Sequence, residues 1–306
     1  MPEGHTVHRV ARLFESVFVG RVLQASSPQG RFSAGAAGIN SRTLVSAEAV
    51  GKQLFLRFEN ERIVRVHLGI YGAWDVMTDH GDPRLSDLVT SLGAPRSRSR
   101  RFGESEADRD APDIFPPEPI GAVRLRLLAD DVVADLRGPS ACEVLNPDQA
   151  QVLRDRLGPD PLLAGGSRGE DVFVNRVMAT RRPIGAVLMD QSVVSGIGNV
   201  YRAEILFRQR LDPYRPASSH EESTIRALWK DWATLLADGV KTGVMVTRSD
   251  LDAAGRTKAL SSSAQRHYVY KREGKPCVVC GHNVVMDIMV TRKLYLCPHC
   301  QNPSHS

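Results

Sequence analysis

Four cysteines fall in the pattern Cys277-x2-Cys280-x16-Cys297-x2-Cys300. Two CxxC knuckles let four thiolates converge on one point as a tetrahedron, the coordination that Zn²⁺ prefers. With a thiolate at every corner, no position remains for water or substrate, so one structural Zn²⁺ per chain is expected. Such an ion contributes roughly 10–16 kcal/mol of folding free energy in isolated peptides, enough to fold a short tail that has little core. The fifth cysteine, Cys142, stands alone in mid-chain and reads as buried filler.

The opening Met1-Pro2-Glu3-Gly4-His5 carries a second kind of chemistry. Methionine is trimmed ahead of a small second residue, which leaves Pro2 with a free secondary amine. An α-amino group has a pKa near ~8, so about one in ten is unprotonated at neutral pH, against one in thousands for lysine. A secondary amine that attacks an aldehyde-level carbon gives a charged iminium, an electron sink beside the reacting carbon. Glu3 follows directly and can move protons at that carbon. The plainer alternative is an initiator methionine followed by filler.

Gly196-Ile197-Gly198-Asn199 precedes the apolar run Val200-Tyr201-Arg202-Ala203-Glu204-Ile205-Leu206. Glycines let a backbone approach a phosphate, and the start of a helix offers free amides and a positive dipole end. Asn199 would cap that helix or turn its amide to a phosphate; a plain helix connection is the other reading. Arg292 lies between the cysteine knuckles, in Thr291-Arg292-Lys293-Leu294-Tyr295. A hairpin there would project a guanidinium suited to phosphate or base edges.

These groups need scaffolding. The chain has 306 residues, about two domains at roughly 150 residues each. A hydrophobic fraction of 42% with 25% charged residues excludes wholesale disorder, and no apolar run is long enough to cross a membrane. No signal peptide opens the sequence, so a cytoplasmic location is expected. Forty Lys and Arg against 35 Asp and Glu leave a net charge of +5, a mild indication of a polyanionic partner. Val7, Val10, Ala11, Phe14, Val17 and Phe18 form one helical stripe ending at Gly20, with Thr6 as its expected cap. Strand-like runs follow at Arg21–Ser26, Arg42–Ser46, Lys52–Phe58, Arg62–Leu68, Ala73–Met77, Val123–Leu128 and Val132–Leu136, read as a β-sandwich or barrel. A Pro-, Arg-, Asp- and Ser-rich stretch at 79–119 reads as a mobile insertion. Beyond Gly138-Pro139 the texture is helical, with candidates at Pro147–Leu157, Glu170–Thr180, Asn199–Arg208 and Glu221–Val240. Trp229 and Trp232 in the last of these read as core.

Taken in order, Met1-Pro2-Glu3-Gly4, Gly51-Lys52, Leu157-Gly158-Pro159-Asp160-Pro161-Leu162, Gly196-Ile197-Gly198-Asn199-Val200-Tyr201 and the cysteine tail resemble the formamidopyrimidine-DNA glycosylase / endonuclease VIII family of base-excision repair enzymes. Outside 79–119 the resemblance covers essentially the whole chain. It implies an α+β fold: an N-terminal helix and β-sandwich (1–137), a helix-two-turn-helix domain (138–266) and a C-terminal zinc ribbon (267–306), gripping DNA between the halves. It further implies Pro2 as the nucleophile at C1′, Glu3 acting on the sugar ring oxygen, Lys52 on the flanking phosphate and on proton transfers, and Gly198, Asn199 and Arg292 at the phosphates around the flipped nucleotide. β- and δ-elimination would follow. The expected partner is damaged DNA, bound by a monomer that is cytoplasmic and nucleoid-associated, with no membrane.

The Pro-Glu-Gly opening looks more like the endonuclease VIII branch, which implies oxidised pyrimidines as substrates. Gly69-Ile70-Tyr71-Gly72 resembles the loop that fills the hole left by the extruded base; side chains turned into the core of a plain hairpin are the alternative. The family commonly has a carboxylate where this chain has Thr6, and His5 is the residue that could compensate. Two rivals stay open. One is an 8-oxoguanine- and formamidopyrimidine-preferring glycosylase using Thr242–Leu260 as a capping loop; the other is a non-catalytic damaged-DNA-binding protein.

Overall fold

The computed structural model describes residues 2–79, 90–93, 115–163 and 166–302, and most of the stretch read as an insertion lies outside them. The chain forms two compact units, residues 1–155 and 156–306.

The first unit opens with helix α1 (Gly4–Val17), whose buried stripe includes Val7, Val10, Ala11, Phe14 and Val17. The helix begins earlier than a Thr6 cap would allow. Thr6 already donates its N–H to the Glu3 carbonyl at 3.0 Å, which makes Glu3 the cap residue, with no side-chain cap bond. Nine strands follow, with a short helix α2 (Ser33–Ile39) among them: β1 (Val22–Ser26), β2 (Arg42–Val50), β3 (Gln53–Phe58), β4 (Ile63–His67), β5 (Ala73–Thr78), β6 (Thr90–Gly93), β7 (Val123–Leu128), β8 (Val132–Arg137) and β9 (Ala141–Leu145). Their order is β6-β5-β8-β7-β1-β2-β3-β4-β9, antiparallel throughout.

β1 is shared between two layers. Val22 and Leu23 pair with β2, whereas Gln24, Ala25 and Ser26 pair with β7. The inner faces meet in one core, where Leu54, Leu56 and Val64 from one layer join Trp74, Leu125, Leu127 and Leu136 from the other, under Phe14 and Phe18. Trp74 packs edge-on to Phe14 with centroids 4.8 Å apart. Arg126 and Asp135, opposite one another on β7 and β8, form a buried fork-to-fork pair with both bonds at 2.7 Å. Helix α3 (Pro147–Asp155) closes the unit and lays the Arg154 guanidinium over Phe55, 4.3 Å from its centroid.

The second unit contains α4 (Gly166–Met178), the single-turn α5 (Ile184–Val187), α6 (Asn199–Arg208), α7 (Glu222–Thr242), α8 (Ala253–Ser261) and the hairpin β10 (Val285–Met289) and β11 (Arg292–Leu296). The stripe of α7 places Ile225, Leu228, Trp229, Trp232, Leu235 and Leu236 in the core against Phe173, Tyr201 and Ile205. Gly243, at φ +78, ends that helix by donating to the Gly239 carbonyl at 2.9 Å. Elements with weak sequence patterns, namely α2, α5, α8 and β9, complete the fold. Among the described residues, no helix is long and apolar enough to cross a membrane.

Candidate active site

Pro2 and Glu3 are both buried, Glu3 completely. Glu3 has an extended backbone (φ −127°, ψ −172°) at the N-terminus of α1, and its carbonyl accepts the first helical bonds from Thr6 and Val7. The positive end of the helix dipole thus falls at Glu3, beside Pro2. His5 is 4% exposed, and its Nε2 meets the Thr6 hydroxyl at 3.2 Å. Burial, then the positive charge of the amino terminus and of Arg9, push the His5 imidazole down to about 3.

Lys52 occupies the β2–β3 turn. Val50 pairs with Gln53, leaving Gly51-Lys52 as a two-residue loop with its positive φ at Gly51. Lys52 is half-buried, and its charge falls on His67 at the end of β4. Burial first, then Lys52 and Arg65, push the His67 imidazole down to about 4. Its Nδ1 lies 2.6 Å from the Ser140 hydroxyl. His67 and Ser140 were not singled out from sequence, because a lone histidine at a strand end carries no spacing signal.

Gly69-Ile70-Tyr71-Gly72 links β4 to β5. Gly72 N–H closes the turn on the Leu68 carbonyl at 2.9 Å, and a Cβ on Gly72 would lie 2.2 Å from that oxygen. This tight turn drives Ile70 and Tyr71 outward, to 40% and 82% exposure. Burial of these side chains in the core is thereby excluded.

In the second unit, Gly158 passes so close to Val193 and Val194 that a Cβ would lie 2.4 Å from their backbone. Its N–H donates to the Gln191 carbonyl at 2.7 Å, and Gln191 braces the next loop, donating to the Ile197 carbonyl at 3.0 Å and accepting from Gly196 N–H at 3.1 Å. Leu157-Gly158-Pro159 thereby sets the loop that delivers Gly198 and Asn199 to α6. Gly198 is the cap residue of α6, which has no side-chain cap bond. Instead of capping, Asn199 donates to the Lys293 carbonyl at 2.6 Å and accepts from Arg202 at 2.5 Å. It is thus brought beside Arg292, which is exposed at the first position of β11, just after the Val290-Thr291 turn.

The four knuckle cysteines converge, with their sulfur atoms all within 4.8 Å of one another. Cys277 and Cys300 sulfurs are 3.9 Å apart and those of Cys280 and Cys297 3.4 Å. Four Zn–S bonds of about 2.3 Å in a tetrahedron require sulfurs about 3.8 Å apart, so the residues fit Zn²⁺. Cys300 N–H points to the Cys297 sulfur at 3.5 Å, as a thiolate-binding knuckle requires. The ion is structural: it holds Cys277, Cys280, Cys297 and Cys300 together and leaves no open position.

Sequence reasoning also missed Glu204, which is fully buried in α6. Its carboxylate accepts from Tyr268, Val269 and Tyr270 N–H at 2.8, 2.9 and 2.7 Å and from the Thr247 hydroxyl at 2.5 Å. One acidic side chain thereby fixes the strand of chain that enters the zinc module.

An N-terminal helix over an antiparallel sandwich, a helical unit and a four-cysteine finger together define the architecture of a zinc-finger DNA glycosylase. Family models match at residues 1–104 (formamidopyrimidine-DNA glycosylase N-terminal domain), 157–250 (formamidopyrimidine-DNA glycosylase H2TH domain) and 274–303 (zinc finger found in FPG and IleRS). The chain is 38% identical to "Endonuclease 8 1" of Mycobacterium tuberculosis over 302 residues, 98% of this chain and 100% of that protein. It is 28% identical to the formamidopyrimidine-DNA glycosylase of Laribacter hongkongensis, covering 97% of this chain and 95% of that one. Among solved structures, the Fpg protein of Thermus thermophilus superposes with a TM-score of 0.69 at 24% identity, over 98% of both chains. Lactococcus lactis Fpg bound to DNA containing an abasic site superposes with a TM-score of 0.71 at 18% identity, over 98% of this chain and 100% of that one. The chain belongs to the formamidopyrimidine-DNA glycosylase / endonuclease VIII family of DNA glycosylase/AP lyases. It is therefore a DNA repair enzyme with a structural zinc finger.

Proposed function

We propose that this enzyme excises oxidised pyrimidines and then cuts the strand at the abasic site, with Pro2 as nucleophile. The observation that carries the reading is the wholly buried Glu3 carboxylate next to Pro2, at the positive end of α1. The Pro2 nitrogen attacks C1′ and the bond from C1′ to the base breaks, the base leaving with the proton that the Pro2 nitrogen gives up. Glu3 delivers a proton to the ring oxygen O4′ as the C1′–O4′ bond opens, which gives the iminium. Loss of a C2′ proton expels the 3′ phosphate; a second elimination expels the 5′ phosphate and leaves a one-nucleotide gap. Lys52, on its turn beside His67, supplies positive charge for a flanking phosphate. Gly198, Asn199 and Arg292 take phosphates around the extruded nucleotide, for which Asn199 retains one amide hydrogen beyond the one given to Lys293.

Pyrimidine preference is supported by full-length similarity to proteins named endonuclease 8 and by the Ile70-Tyr71 tip. Damaged duplex DNA is the proposed partner and a monomer the proposed acting form. Borohydride trapping on DNA with an abasic site tests the chemistry: the adduct is expected at Pro2 and lost when an extra residue precedes it. An adduct on an internal lysine overturns the assignment. Faster release of 8-oxoguanine than of thymine glycol or dihydrouracil, on matched duplexes, overturns the substrate preference while leaving the nucleophile intact.

A further inference from the structure

The β10–β11 hairpin ends in an unfavourable turn. Met289 pairs with Arg292, so Val290 and Thr291 form a two-residue loop, and both lie in the left-handed region at φ +50 and +59. Two successive positive φ values define the turn that Asn and Gly favour. β-Branched side chains are crowded against their own backbone there. Among the described residues, no other two adjacent non-glycine residues share positive φ.

Burial does not compensate this strain. Val290 is 55% exposed and Ile288 59%, and Thr291 is exposed too. Met289, Leu294 and Leu296 anchor one face of the hairpin against Ala186 in the helical unit. Ile288 lies on the opposite face, paired across the strands with Lys293. The free end of the hairpin therefore carries exposed apolar carbon at Ile288 and Val290, with the cationic Arg292 and Lys293 beside it, both exposed. Strained backbone that persists without local reward clusters at binding sites. Apolar carbon flanked by cations matches a duplex groove, where deoxyribose faces lie between two rows of phosphate.

We propose that Ile288, Val290 and Thr291 form an apolar DNA-contacting tip that packs on deoxyribose faces in a groove of the duplex, with Arg292 and Lys293 on the flanking phosphates. The inference rests on the reading of the chain as acting on DNA. It assigns the tip a contact distinct in kind from that of Arg292, because it is apolar and releases no counterions.

The test uses full-length, zinc-loaded protein and a duplex bearing a tetrahydrofuran abasic analogue. Val290→Asn/Thr291→Gly installs residues that suit the turn, so its Tm rises above wild type. Its affinity for the duplex nevertheless falls about tenfold, the size expected when one or two apolar side chains leave a dry contact. The slope of log K against log salt stays at the wild-type value, whereas Arg292→Ala makes it shallower by about one. Ile288→Thr, which leaves the turn alone, weakens binding by a similar factor. A higher Tm with wild-type affinity overturns the proposal, as does weaker binding with a shallower slope, which would trace the loss to a displaced Arg292. Failure of the wild-type chain to bind this duplex overturns the DNA reading itself, a result separable from either variant's behaviour.

Discussion

Asn199 donates its side-chain amide to the Lys293 carbonyl at 2.6 Å, which joins the first turn of α6 to the zinc hairpin. The same side chain accepts from Arg202 at 2.5 Å, and Arg202 is completely buried. Asn199 is thus a structural clamp as well as a proposed phosphate ligand.

Asn199→Ala removes both bonds, the one to Lys293 and the charge-assisted one from Arg202, while Arg202 keeps its own bond to the Lys293 carbonyl at 3.1 Å. The loss costs about 1–3 kcal/mol. Chemical denaturation is expected to show this loss, and a chelator is expected to strip zinc faster from the variant than from the parent. DNA affinity is expected to fall further than the stability loss explains, because a phosphate donor goes as well. Unchanged stability would show that the clamp contributes nothing.

The elements that were legible in the sequence are those with a strong period or fixed spacing. The cysteine knuckles, the apolar stripe of α7 and the strand Val123–Leu128 all appear where the pattern placed them, although Arg126 is buried with Asp135 where the alternation faced it outward. Short or mixed segments were not legible: Ser33–Ile39 carries two glycines and no stripe, and every residue of Ala141–Leu145 is only partly buried or exposed. Helix ends misled for a physical reason. Thr6 has a capping side chain, yet the bond ladder starts from the Glu3 carbonyl, so the hydroxyl turns to His5 instead. Glu204 and Gln191 escaped notice because a single polar residue in a helix or loop looks solvated until the amides that meet it are placed. Their bonds join residues far apart in the chain, as with Glu204 and Tyr268.

His5 makes the fold sensitive to acid. Its imidazole is pushed down to about 3 in the folded chain, whereas an unfolded histidine titrates near 6.5. Between those values the unfolded chain binds a proton that the folded chain does not, so stability falls as pH drops through this window. The full window corresponds to on the order of 5 kcal/mol. His67, pushed down to about 4, acts in the same direction. Urea midpoints measured from pH 7.5 to 4.5 are expected to decline for wild type and to decline less steeply for His5→Gln. Parallel curves for the two proteins would show that His5 is not the sensor.

Removing the metal should unfold the finger. The finger's own apolar core is small: Val284 and Tyr295 pack with the cysteines, and Met289, Leu294 and Leu296 form a second cluster with Ala186. Cys297→Ser replaces a fully buried ligand. The variant is expected to lose its zinc, measured by elemental analysis, and most of its DNA affinity. Borohydride trapping, which on the proposed mechanism takes place at Pro2, is expected to persist at DNA concentrations high enough to restore binding. Loss of trapping even at saturating DNA would give the finger a role beyond binding.

The Ile70-Tyr71 tip separates stability from function most cleanly. Both side chains are exposed, so Ile70→Ala/Tyr71→Ala is expected to change folding stability by no more than about 0.5 kcal/mol. If the tip fills the space left by an extruded base, the double variant gives up stacking worth about 1–3 kcal/mol per base. Affinity for abasic-site DNA is then expected to fall about tenfold or more, while affinity for undamaged duplex, which has no gap to fill, stays constant. Gly72→Ala is the opposite case, since its Cβ would lie 2.2 Å from the Leu68 carbonyl and must open the turn. That variant is expected to lose stability and lesion affinity together. Equal weakening on damaged and undamaged duplexes by the double variant would make the tip a general DNA contact rather than a void filler.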